Sequence, residues 1–156
     1  MVQQAAVIGA GTMGRGIAFA IALKGIAVTL QDIKEEALES SKAYMKEQFD
    51  IAVKLGKTTE KEAQQNIEKI RYATSIEEAA KDADLVIEAV LELMDLKIDV
   101  FKQLDEFAPR HAILATNTST MSPTEIAAAT TRPEQCVALH FFNPVPKMKL
   151  IEVIRG

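Results

Sequence analysis

Apolar positions along this chain fall into two rhythms. Short unbroken runs of Ala, Val, Ile and Leu alternate with longer segments whose apolar residues recur three and four apart. The first rhythm predicts strands covered on both faces, and the second predicts amphipathic helices. Their alternation predicts a mostly parallel, doubly wound sheet with helices on both faces. The opening run, Ala6-Val7-Ile8, breaks at Gly9 and passes straight into a helical segment carrying Ile17, Ala18, Phe19, Ala20, Ile21, Ala22 and Leu23. A second strand, Ala27-Val28-Thr29-Leu30-Gln31, ends at Asp32.

Residues 34–55 follow as a long helix. Its apolar stripe is Leu38, Met45, Phe49, Ala52 and Val53, opposite a charged face that includes Glu35, Lys42, Asp50 and Lys54. Gly56 supplies the stop. A shorter helix runs to Lys69, opened by Thr59 and Glu62 at capping-box spacing. The pair inserts roughly 35 residues between the second and third strands, more than an ordinary crossover needs. It is expected to project from the sheet as a helical hairpin, open to a partner or to part of a substrate.

The alternation then resumes. Residues 70–74 predict a short strand, and Ser75 with Glu78 predicts a capped helix. Residues 84–90 predict a buried strand, 94–107 a helix closed by Pro109, and 112–116 another strand. Ser122, Pro123 and Glu125 supply a cap, a first-turn proline and an acidic partner for a helix ending near Thr130. Residues 136–142 and 150–154 predict two last strands. The loop between them, with Pro144 and Pro146, is too short for a helical crossover, so these strands are expected to be antiparallel or bent apart.

A length of 156 residues suits one domain with a real core. The net charge of −4 gives no basic surface for nucleic acid or an anionic membrane, and no run reaches the ~18 apolar residues of a membrane span. The first strand begins so soon after Met1 that no targeting segment is expected, which predicts a cytoplasmic protein. Cys136 is the single cysteine, with no ligand-spaced partner, and reads as an inert thiol; no metal site is expected.

The spacing Gly9-x-Gly11-x-x-Gly14, placed between a strand and a helix, carries the most chemistry. Gly9 permits the tight turn, Gly11 lets backbone approach a pyrophosphate, and Gly14 lets helix and strand pack closely. The helix N-terminus, with Thr12 and Met13, offers N–H groups and a positive dipole end to phosphate. Asp32 lies about 20 residues on, where a ribose 2′-hydroxyl sits, and its charge favours NAD over NADP. A plain strand-end cap is the other reading of Asp32.

His140 and Glu152 are each the one ionisable group of an apolar run expected to be substantially buried. If the last two strands are neighbours, the carboxylate can orient the ring as in a general base. The alternative is a core histidine satisfied by a backbone carbonyl and an unrelated strand-edge glutamate. Asn117, Thr118, Ser119 and Thr120 follow a strand end, where open parallel sheets bind ligands, though such residues also favour plain turns. Glu88 lies inside an apolar strand and needs a partner, whereas Glu92 can be solvated. His111 reads as a surface residue.

Gly9-Ala10-Gly11-Thr12-Met13-Gly14, Asn117-Thr118-Ser119, His140-Phe141-Phe142-Asn143-Pro144 and Leu150-Ile151-Glu152-Val153-Ile154 together resemble the L-3-hydroxyacyl-CoA dehydrogenases. The resemblance covers essentially the whole chain. It implies a Rossmann-like NAD-binding domain over residues 1–156 and NAD-dependent oxidation of L-3-hydroxyacyl-CoA to 3-oxoacyl-CoA, or the reverse, in fatty-acid β-oxidation or butyrate metabolism. It implies His140 as the general base, Glu152 as its orienting partner, and Ser119 as a hydrogen-bonding group near substrate oxygen and cofactor. Asn143 falls in the same motif, Glu92 and Lys97 match cofactor-contacting positions, and Lys54 matches loosely a place near CoA.

The chain departs from the family in carrying Leu93 and Met94 where a polar residue is often found. Family members also continue into a helical C-terminal domain that closes the substrate cleft and builds a homodimer. The resemblance therefore predicts a cofactor-binding domain without it, with weak or no turnover. Two other functions fit the residues: a redox-inert dinucleotide-binding or structural module, and a dehydrogenase of a free 3-hydroxy acid.

Overall fold

A computed structural model describes residues 1–156. The elements in order are β1 (Gln4–Ile8), α1 (Thr12–Leu23), β2 (Ala27–Gln31), α2 (Glu35–Lys54), α3 (Glu60–Glu68), β3 (Ile70–Ala73), α4 (Ile76–Ala80), β4 (Leu85–Glu88), α5 (Met94–Phe107), β5 (Ile113–Thr116), α6 (Pro123–Ala127), β6 (Cys136–Phe141) and β7 (Ile151–Arg155). A single 3₁₀ turn, Pro133–Gln135, leads into β6. The strands form one sheet in the order β3-β2-β1-β4-β5-β6-β7. All neighbours are parallel except β6 and β7, which are antiparallel. This is the doubly wound Rossmann order, and the chain reverses direction across the sheet between β1 and β4.

The two-residue period of a strand explains the two cores. Ala5 and Val7 of β1 join one apolar cluster with Ile17, Phe19, Met45 and Phe49, while Ala6 and Ile8 join another with Val100, Phe101, Leu104 and Ile126. Each face of the central strands is thus covered by helices, which is why these strands read as unbroken apolar runs.

Two expectations are corrected. The α2–α3 hairpin does not project from the sheet. Leu38, Met45, Phe49 and Ala52 of α2 are buried against α1 and the sheet, and the Phe49 ring meets Phe19 edge-on at 5.0 Å between centroids. The apolar stripe is long enough to dock the whole helix, and burying it outweighs standing free in water. Asn66 and Lys69 then donate to the carbonyls of Leu23 and Gly25, at the end of α1. The second correction concerns β7, which is exposed along its whole length. As the edge strand it gains a hydrogen-bonded neighbour on one side only, and although α6 approaches it, its apolar side chains stay exposed.

Arg132, which follows the end of α6 and precedes Pro133, is fully buried. Its guanidinium donates to Asp105 Oδ1 at 3.0 Å and to the carbonyls of Leu104, Asp105, Ala108 and Pro109. Those carbonyls lie at and just beyond the end of α5, where some backbone acceptors lack helical partners. One side chain therefore caps the helix that flanks the cleft described next.

Candidate active site

The β1–α1 turn is built as the glycine spacing requires. Gly9 has φ +99°, and a side chain there would lie 2.7 Å from the Ala89 carbonyl oxygen. A Cβ on Gly14 would lie 1.7 Å from the Gly9 carbonyl oxygen, so helix and turn touch through backbone alone. Gly11 differs: a Cβ there would meet nothing within 4 Å. It is the N-cap of α1, no side chain caps the helix, and no acidic residue occupies the first turn. A helix start with free N–H groups, a positive dipole end and open space before it suits an anion.

Asp32 closes one side of this opening. Its Oδ2 accepts the Ala10 N–H and its Oδ1 accepts the Lys34 N–H, both at 2.9 Å. The carboxylate therefore does cap the strand end, and each oxygen keeps a lone pair for a hydroxyl. Beside it lies a groove of about 470 Å³ lined by Gly9, Gly11, Asp32, Ile33, Leu91 and Leu96. Ile33 is 81% exposed at the rim, an apolar surface fit to lie against a flat ring.

A second cleft, of about 380 Å³, lies beyond the carboxyl ends of β4, β5 and β6. It shares Ala89 and Val90 with the first groove, so the two flank one ridge of backbone. The fold brings Met13, Glu92, Lys97, Ser119, His140 and Asn143 to this cleft from four separate stretches of chain. Asn117 joins them, and its Oδ1 accepts the Phe141 N–H at 2.9 Å. That bond ties the loop after β5 to the strand bearing His140. Lys54 belongs elsewhere, in a groove on the α2–α3 hairpin beside Asp50 and Glu60.

His140 and Glu152 are directly paired across β6 and β7. The ring Nδ1 lies 3.3 Å from Glu152 Oε2, and the Phe142 ring tilts against the imidazole at 4.6 Å between centroids. The expected burial holds for His140, whose side chain is 20% exposed, and fails for Glu152, whose side chain is 50% exposed. Glu152 sits on the uncovered edge strand, where water solvates its charge. With Nδ1 turned to the carboxylate, Nε2 is the nitrogen left for a ligand.

A buried ion network supports the cleft floor. Lys97 Nζ lies 2.7 Å from Glu88 Oε2 and 3.0 Å from Glu92 Oε2, with Lys97 and Glu88 essentially without exposure. Glu88 also accepts from the Thr116 hydroxyl at 2.7 Å and the Val90 N–H at 2.9 Å. Glu92 Oε1 accepts from the Thr118 hydroxyl and from the Ser119 N–H. Burial alone would raise the Glu92 pKa, but the hydrogen bonds from Thr118, Lys97 and Ser119 and the Lys97 charge outweigh it and hold it below the usual carboxylate value. The apolar run around Glu88 requires a partner for it, but no local pattern in the sequence identifies which residue that is. The available signal was a lone lysine, nine residues on, among the apolar positions of the next helix.

Together the open helix start, the Asp32 groove and the adjoining cleft fit a dinucleotide laid across the point where the sheet reverses. Residues 4–156 match the family model described as 3-hydroxyacyl-CoA dehydrogenase, NAD binding domain. A probable 3-hydroxybutyryl-CoA dehydrogenase of Bacillus subtilis is 46% identical over 155 residues, covering 99% of this chain and 54% of that protein. The mitochondrial hydroxyacyl-coenzyme A dehydrogenase of Rattus norvegicus is 41% identical over 160 residues, covering 99% and 51%. The crystal structure of (S)-3-hydroxybutyryl-CoA dehydrogenase from Ralstonia eutropha superposes with a TM-score of 0.94 at 40% identity, covering 100% of this chain and 55% of that one. The chain thus spans about half the length of these relatives.

Proposed function

The chain belongs to the 3-hydroxyacyl-CoA dehydrogenase family, matching its NAD-binding domain, and on that premise we propose that it carries the cofactor site and the acid–base pair for interconverting L-3-hydroxyacyl-CoA and 3-oxoacyl-CoA. The observation that carries the reading is the pairing of His140 with Glu152 at the mouth of the cleft that adjoins the glycine turn.

Bound NAD supplies the acceptor for the electron pair and hydrogen leaving the substrate's 3-carbon. The chain's own residues do the rest. Backbone N–H groups at the start of α1 would hold the pyrophosphate, and Asp32 would accept from the adenosine ribose. His140 takes the 3-hydroxyl proton on Nε2 as the carbon is oxidised, and returns it in the reverse direction. Glu152 accepts from Nδ1–H, which fixes the tautomer and stabilises the imidazolium that forms. Ser119 keeps its hydroxyl free for the substrate oxygen while its N–H is held by Glu92. Asn143, at the cleft beside Phe142, completes the wall facing the substrate.

The half-exposed Glu152 and the uncovered β7 leave the reacting end open to water. Turnover by these 156 residues alone is therefore weak, because positioning and exclusion of water supply much of the barrier reduction. We place the reaction in the cytoplasm, consistent with freely soluble NAD and CoA thioesters as its reactants.

The test is NADH binding followed by fluorescence, with NADH oxidation measured on acetoacetyl-CoA and on free acetoacetate. Binding with turnover confined to the CoA ester is the expected result. Equal use of the free acid would replace the substrate class, and absence of NADH binding would overturn the reading.

A further inference from the structure

The Glu88, Lys97 and Glu92 group has an unbalanced charge. Two carboxylates meet one ammonium within hydrogen-bond distance, so the set carries one net negative charge. The inner pair is sealed from water and locked by Thr116 and the Val90 N–H, and it is neutral as a pair. The surplus therefore resides on Glu92, whose side chain is 39% exposed and which lines the cleft with Ser119 and His140. Glu92 has little freedom to swing away, since Thr118, the Ser119 N–H and Lys97 all hold its carboxylate. The carboxylate of Glu152, behind His140, is outside the lining of this cleft and half-exposed to water, which leaves Glu92 as the one carboxylate that both lines the cleft and is held in place.

A dehydrogenase must bind two forms of one cofactor that differ by a charge: the oxidised nicotinamide ring is a cation and the reduced ring is neutral. A fixed carboxylate beside the ring attracts only the first. This argument rests on the proposal above that the nicotinamide half occupies the cleft of His140 and Ser119.

We propose that Glu92, anchored by the buried Glu88–Lys97 pair, is a redox-state selector that strengthens binding of the oxidised nicotinamide relative to the reduced one. Lys97 holds Glu92 in place, and Glu88 offsets the lysine's charge so that it does not cancel the selector. Without Glu88 the lysine would neutralise Glu92, and the preference would vanish. A single charge at a partly exposed site lining the cleft that would hold the ring is expected to change the affinity ratio by about tenfold, ~1.4 kcal/mol. For a two-electron couple that is ~30 mV in the potential of the bound cofactor.

The experiment measures dissociation constants for NAD⁺ and NADH by calorimetry, for the wild-type chain and three variants whose folding is checked by thermal melting. Glu92→Gln removes the charge from a partly exposed site, and should weaken NAD⁺ about tenfold while leaving NADH within twofold. Glu92→Asp keeps the charge and should keep the wild-type ratio. Glu88→Gln leaves Glu92 intact but lets Lys97 neutralise it, and should shift the ratio in the same direction as Glu92→Gln. The shift should shrink as salt is raised. Equal loss of both forms in Glu92→Gln would mean an ordinary contact and overturn the selector, as would a ratio unchanged within twofold. If the wild-type chain binds neither form, the dinucleotide reading itself fails and this inference with it.

Discussion

His140 and Glu152 face each other in strict antiparallel register, with Nδ1 3.3 Å from Oε2, on two strands joined by a loop that the sequence shows to be too short for a crossover. Their meeting follows from backbone pairing, since a slip of one residue would send Glu152 to the opposite face of the sheet. In solution the pair contributes little to stability, because the glutamate is half-exposed. In the proposed mechanism its value is orientation of the ring. His140→Ala should lower NADH oxidation with acetoacetyl-CoA by roughly 10²- to 10⁴-fold and leave NADH affinity unchanged. A comparable loss of NADH binding would mean that the ring holds the cleft together instead.

Two glycines of the first turn, Gly11 and Gly14, should separate cleanly under substitution. Gly11 has φ −73° and open space where a Cβ would stand, so Gly11→Ala should fold and melt like the wild type. The new methyl group would occupy the space left for the pyrophosphate and weaken NADH at least tenfold. Gly14→Ala, by contrast, puts a Cβ 1.7 Å from a backbone oxygen and should cost about 3 kcal/mol or more of stability. Thermal melts beside NADH titrations of both variants make the comparison.

Arg132 should be among the costliest residues to remove. Truncation to Met leaves the carbonyls of Asp105 and Ala108 without this donor, removes a second donor from those of Leu104 and Pro109, and leaves Asp105 with only the more distant Arg110 as a cation. Loss of one partner of a buried ionic network costs about 3–5 kcal/mol. Urea denaturation of Arg132→Met reads that cost directly, and a loss under 1 kcal/mol would show that α5 closes by other means.

Acid should act through Asp84. The N–H groups of Gln3 and Gln4 and the His111 side chain at 2.9 Å lower its pKa to about 2. Because the folded value lies below the unfolded one, the bonds stabilise the fold fully above the ordinary aspartate pKa. That contribution disappears as pH falls through the folded value. Asp84→Asn should therefore lower the urea midpoint near neutrality, and its gap from the wild type should close between about pH 4 and pH 2. A gap that stays constant across this range would rule Asp84 out as the acid-sensitive tie.

Much of the architecture was legible from local signals. The helix Met94–Phe107 and the strand Ala27–Gln31 have the bounds that periodicity and stop residues predict. Thr59 with Glu62 forms the expected reciprocal cap, and Ser75 and Ser122 accept from the N–H groups three residues on. Only short-range geometry is needed for these, and a few neighbouring residues specify it. The expected helix near Thr130 is shorter, ending at Ala127 and continuing as turns.

By itself the sequence determined the order of strands and helices, the glycine turn with its acidic residue at the next strand end, and which side chains carry candidate chemistry. Tertiary structure alone decided where those side chains meet. Lys97 finds Glu88 because α5 packs beside the end of β4, and Asn117 finds Phe141 because β5 and β6 are neighbours. It also decided that the α2–α3 pair lies down on α1 and that β7 stays uncovered, reversing two expectations. The physical reason is common to all of these. Whether an apolar stripe or a charge is buried depends on which surface arrives opposite it, and that surface comes from residues distant in the chain.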